Sequence, residues 1–192
     1  MSTNNLNNKG QVQGDMIGTQ VNNYFEKKYS KIPSILTELI KQLASIDEED
    51  ENNDVDVSPY NPEEKIEFNH VIKYKEILME YTKFYINCDN ILNSIDNYNP
   101  GRKNKILKSV KIIYDKTVGE IMLSHIKANR IEIVRNNSDM IIELVERELR
   151  QRIENDGISE SLTQEDVDIG LLIFICYAFN KCKVLEKPDK ET

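Results

Sequence analysis

The side chains best able to do chemistry on a substrate are few in this sequence, and their spacing does not favour it. His70 and His125 each lack a second ligand nearby, and Cys176 and Cys182, six positions apart, fall far from one another around a helix axis. Cys88, Cys176 and Cys182 all sit in apolar helical segments and read as reduced, buried thiols rather than as an oxidised framework. Glu143, Glu146 and Glu148 invite comparison with paired catalytic carboxylates. They alternate with Arg147, Arg150 and Arg152 at surface spacing, however, and read as exposed ion pairs. No Gly-rich phosphate loop, nucleophile elbow or His-Glu-x-x-His run is present. We therefore assign no catalytic residue, no metal and no cofactor. Tyr74, Tyr81 and Tyr85 are the more informative polar groups, because each brings a hydroxyl to an apolar seam where it needs a partner. Lys65, Asn69 and His70 either supply those partners or belong to a binding face.

The element that must position these groups runs from Pro62 to Tyr98. Its apolar positions Val71, Tyr74, Leu78, Tyr81, Tyr85, Cys88, Leu92 and Ile95 alternate steps of three and four, with Ile77, Phe84, Ile91 and Tyr98 beside them. That pattern predicts one continuous helix, the longest in the protein, touching two neighbours in a bundle. Asn61-Pro62-Glu63-Glu64 starts it with a cap, a proline that loses no donor and two acids at the positive end of the dipole. Asn99-Pro100-Gly101 stops it.

Upstream, residues 1–30 form an Asn/Gln/Gly-rich lead, poor in apolar surface and expected to be disordered in isolation. Residues 31–46 predict an amphipathic helix with Ile32, Ile35, Leu36, Leu39, Ile40, Leu43 and Ile46 on one face, followed by an acidic linker over 47–61. Whether that helix docks on the bundle or on a partner stays open at this level. Downstream, a third helix from about Arg102 to Ser124 buries Ile106, Leu107, Val110, Ile113, Tyr114, Thr117 and Ile121. Arg102, Lys105, Lys108 and Lys111 give it a candidate basic surface, for an acidic partner or a nucleic-acid backbone. A fourth helix spans about Arg130 to Glu154, with either a kink or a restart capped by Ser138 expected at Asn137-Ser138-Asp139. Thr163 and Asp166 open a fifth, running to about Lys183, whose stretch Leu171 to Phe179 has no polar face. A small bundle can barely enclose such a helix. The candidate partner-binding face is therefore Leu171, Leu172, Phe174, Ile175 and Phe179, together with Lys65, Asn69 and Tyr74.

The resulting fold class is all-α: a single bundle of about five helices behind a disordered lead. With 192 residues and a net charge of -8, the chain is suited to one core and ill suited to general polyanion binding. No signal peptide is visible, and the apolar run Gly170 to Phe179 is too short for a bilayer, so a cytoplasmic protein is expected.

Four blocks carry a family resemblance. They are Tyr60, Glu64-Lys65-Ile66-Glu67-Phe68-Asn69, Tyr74, Glu80-Tyr81 and Tyr85; Ile106-Leu107 with Tyr114; Arg135-Asn136-Asn137-Ser138-Asp139-Met140-Ile141-Ile142; and Ala178-Phe179-Asn180-Lys181-Cys182-Lys183-Val184-Leu185-Glu186-Lys187-Pro188. In order and spacing they resemble, over roughly Tyr60 to Pro188, the carboxy-terminal helical domains of bacterial ABC-three-component conflict systems, the domain itself being 62–188. The resemblance implies a partner-binding domain that connects an effector to a middle component and an SMC-like ABC ATPase in defence against phage and plasmids. An effector is not visible before the domain, which implies a free-standing, non-enzymatic adaptor or a split gene; a second copy of the chain is a further candidate partner. Against it stands a small regulatory or nucleic-acid-binding protein that uses the basic third helix.

Overall fold

A computed structural model of the chain describes residues 34–46, 61–124, 128–156 and 161–188. The expectations for the lead and for the acidic linker lie outside these residues, apart from the linker's last position, Asn61. The described residues form α1 (Ile35–Leu43), α2 (Pro62–Phe68), α3 (Lys75–Tyr81), a 3-10 turn (Thr82–Phe84), α4 (Tyr85–Tyr98), α5 (Arg102–Leu123), α6 (Arg130–Glu154) and α7 (Gln164–Asn180), with no strand among them. They make an all-α bundle around one core, as the composition and periodicity require.

The helix count exceeds five because the predicted helix over Pro62 to Tyr98 is divided. α2 closes at Phe68 in a Schellman arrangement: the His70 N–H donates to Glu67 O at 3.1 Å and the Val71 N–H to Ile66 O at 3.1 Å. His70 takes the left-handed position, φ 55°, where glycine is usual. The chain then re-enters a helix at Lys75 without a side-chain cap of its own. Asp139 of α6 supplies one, its carboxylate accepting from the N–H groups of Ile72 (3.2 Å), Lys73 (3.0 Å) and Tyr74 (3.3 Å). Ser138 Oγ donates to His70 O at 3.1 Å, and Arg135 Nε to Phe68 O at 2.7 Å. α6 can reach the turn because it bends where the sequence predicts, at Asn137 (φ -133°). The seam survives the break: Val71, Tyr74, Leu78, Tyr85, Cys88, Leu92 and Ile95 are all buried. The longest element among the described residues is therefore α6, at 25 residues, and not the Pro62 helix.

α7 is the axis of the bundle. Thr163 and Asp166 form the predicted capping box at its start, and it ends at Asn180 rather than Lys183. α1 lies against it, with Leu39, Ile40 and Leu43 fully buried. Gly170 permits that approach, since a Cβ there would stand 2.8 Å from Ile40 Cγ2 and 2.9 Å from Ile40 O. The first helix thus docks on the bundle.

Candidate interaction surface

The enclosure of α7 overturns the partner face expected on it. Leu171, Phe174, Ile175 and Phe179 are at most 2% exposed, and only Leu172 is half-buried. Lys65, Asn69 and Tyr74 are buried as well. With α1 across one side of α7 and the α2–α4 segment across another, no water-facing strip of these side chains is left for a second protein.

Lys65 and Asn69 have a structural task that sequence reasoning missed. After α7 the chain turns back in a hook, Lys181 to Pro188, entered by a second Schellman turn in which Cys182 N donates to Phe179 O (3.0 Å) and Lys183 N to Ala178 O (2.8 Å). Cys182 (φ 52°) and Leu185 (φ 61°) both adopt the left-handed region there, so the hook has to be held in place. The Lys65 ammonium donates to Phe179 O and, at 3.0 Å, to Val184 O. Asn69 pairs with the Glu186 backbone in both directions, accepting its N–H and donating to its carbonyl, each at 2.9 Å. The Glu186 carboxylate in turn accepts from Tyr114 Oη and from Arg130 Nε, both at 2.7 Å, and Arg130 continues to Asp115 at 2.7 Å.

Electrostatics follow from this burial. Burial pushes the Lys65 ammonium down to about 8, with Cys182 and Glu186 pulling the other way. Burial also raises the Glu186 carboxyl, but Tyr114 and Arg130 outweigh it and hold the group below its ordinary value. Burial, and after it the nearby Glu146, Glu143 and Asp139 carboxylates, push the Tyr74 hydroxyl up to about 12. Near the end of α7, Asp89 accepts from Tyr177 Oη at 2.6 Å and from Lys181 and Lys103 at 3.0 and 3.1 Å. Burial alone would raise that carboxyl; these donors hold it well below the carboxylate range. Cys88 and Cys176 are buried as expected, whereas Cys182 is partly exposed. The Glu143, Glu146 and Glu148 carboxylates are taken up by Lys73, Arg150 and Arg152.

The basic row on α5 is thinner than its sequence suggests. Arg102 is paired with Glu38 at 3.0 Å, and Lys111 with Asp115 at 3.0 Å while lying over the Tyr114 ring. Lys105 and Lys108 are exposed and have no ion pair among the described residues. Beside Lys105 opens a cavity of about 260 Å³ between α1, α5, α6 and α7, whose floor includes Leu36, Val110, Leu149 and Phe174. Arg152 crosses its edge, donating from Nη1 to Ser109 Oγ at 2.8 Å while Nε and Nη2 hold Glu148. Periodicity along single helices gives no sign that positions 36, 110, 149 and 174 meet.

Among the described residues no group of three or more His, Cys, Asp or Glu side chains is arranged to hold a metal ion, and no helix is long and apolar enough to cross a membrane. Comparison with models of protein families, with curated proteins and with solved structures gave no match.

Proposed function

We propose that this protein is a non-enzymatic adaptor that works by binding other proteins, as a subunit of a bacterial defence complex of the ABC-three-component kind. The observation that carries the reading is the convergence of the four blocks on which the resemblance rests. Lys65 and Asn69 from the first hold Phe179, Val184 and Glu186 of the last; Tyr114 of the second bonds Glu186; and Arg135 and Asp139 of the third hold Phe68 and Tyr74 of the first, with Ser138 holding His70 in the turn between them. Residues 65 to 119 positions apart thus hold one another, so the four blocks act as parts of one folded unit. Of the polar groups buried in the bundle, Lys65, Asn69 and Ser138 go into this network, and the bundle's centre is filled by α7. With α7 enclosed, the outer side of α5 and the cavity beside it offer a surface for binding.

Co-expression with the products of the neighbouring genes tests the reading. An SMC-like ATPase or a middle component should co-purify with the full chain and remain bound through a salt wash, as an interface with an apolar centre does. If no companion is retained, and the chain instead binds DNA with an affinity that falls steeply as salt is raised, the regulatory nucleic-acid reading replaces this one.

A further inference from the structure

We infer that the cavity between α1, α5, α6 and α7 is an anchor pocket for a partner protein, taking one bulky apolar side chain from a segment in which acidic residues flank it. This rests on the adaptor reading and gives it a site and a partner chemistry. Size sets the first limit. A benzene-sized guest fills an apolar cavity of about 150 Å³, while drug-sized ligands need roughly 300–1,000 Å³. At about 260 Å³ the cavity has room for a single leucine- or phenylalanine-sized group. Its floor suits such a group, since Leu36, Val110, Leu149 and Phe174 are all buried and apolar.

Charge sets the second limit. Among the described residues the lining holds two cations and no acid: Arg152, whose charge is met by Glu148 just outside the lining, and Lys105, whose charge is not, in a chain whose net charge is -8. Arg152 is fixed by Ser109 and Glu148, so its position does not have to be ordered on binding. Lys105 carries no ion pair among the described residues, and Lys108, outside the lining but one turn further along α5, is in the same condition. The cationic surface therefore continues past the cavity. A small anion seated in the cavity leaves that extension unused, whereas an extended segment with acids on either side of its anchor meets both lysines.

The test uses the full chain and three blocked pentapeptides: Asp-Asp-Leu-Asp-Asp, the same peptide with lysine for each aspartate, and the same with glycine for leucine. Amide chemical shifts are followed by NMR. The acidic leucine peptide should perturb Leu36, Val110 and Leu149 and bind at least tenfold more tightly than either of the others. Lys105→Glu, and separately Lys108→Glu, should weaken it severalfold and turn the preference toward the lysine peptide, with the rest of the spectrum unchanged. Three results each overturn the inference: equal binding of the acidic and basic peptides, equal binding with glycine at the anchor, or shifts confined to residues outside the cavity. Hexanoate perturbing the same amides at lower concentration than the acidic peptide makes the cavity a small-molecule site, and also overturns it. Companions that still co-purify beside a silent cavity sink this inference alone; companions that never co-purify sink the adaptor reading.

Discussion

Lys65 meets Phe179 twice: its ammonium donates to the Phe179 carbonyl, and it lies 4.2 Å from the centroid of the Phe179 ring. One buried lysine thus ties α2 to the end of α7 and, through Val184 O, to the hook beyond it. The tie is tight but electrostatically costly, because the charge is removed from water.

The cost is visible in pH dependence. Lys65 titrates at about 8 in the folded chain against about 10.4 when unfolded. Below the lower value both states carry the proton; between the two values the unfolded state binds more protons, so folding gains stability as pH rises. Urea unfolding of the wild type and of Lys65→Met isolates this contribution, since the tyrosines that titrate above it are common to both chains. The stability difference, wild type minus variant, should grow by about 2 kcal/mol between about pH 7 and about pH 9.5. A difference that stays flat over that interval would mean that Lys65 is not held in a dry site.

Asp139 and Glu143 stand one helical turn apart on α6, and the structure gives them unequal weight. Asp139 accepts three backbone N–H groups of the α2–α3 turn, whereas Glu143 pairs with Lys73 in an exposed contact. Asp139→Ala should cost about 1.5–3 kcal/mol, as loss of a charged acceptor does. Glu143→Ala should cost less than about 0.5 kcal/mol. Thermal unfolding compares them, and equal losses would show that the turn does not depend on Asp139.

Alanine in place of a helical glycine ordinarily stabilises by about 1 kcal/mol. Gly119, with nothing within 4 Å of its added Cβ, should follow that rule. At Gly170 the added methyl meets the Ile40 backbone carbonyl at 2.9 Å, which cannot rotate away. Gly170→Ala should therefore destabilise by about 1–3 kcal/mol and speed amide exchange in α1. Parallel stabilisation by both substitutions would contradict the packing of α1 on α7.

Leu78 and Ile72 are both apolar residues of the α2–α4 segment, but Leu78 is 1% exposed and Ile72 is 81% exposed. Leu78→Ala should cost about 2–5 kcal/mol through the cavity it leaves, and Ile72→Ala should stay within about 0.5 kcal/mol. Calorimetry of the two variants decides it; a comparable loss at Ile72 would mean that this residue is covered.

Local signals carried much of the fold. Asn61-Pro62 at the start of α2, Asn99-Pro100-Gly101 after α4, the Thr163 and Asp166 capping box and the bend near Asn137 act within a few residues of where they are written, so the chain displays them directly. The apolar stripe of α5 is likewise a property of one helix. The division of the Pro62 to Tyr98 segment is different in kind. Both Schellman turns, at His70 and at Cys182, lack the glycine that would announce them, and the first is held by Arg135, Ser138 and Asp139 from another helix. Burial of Val71 and Tyr74 keeps the heptad-like pattern running through the break, which hides it from any count of apolar positions. The covering of α7 was decided in the same way. An all-apolar α7 demands a cover, but sequence cannot say whether the cover is a partner or α1. Gly170 and Ile40 settle it by a backbone approach that a glycine permits but does not by itself require. The cavity beside Lys105 was equally hidden, because four helices contribute its floor and rim and periodicity describes only one helix at a time.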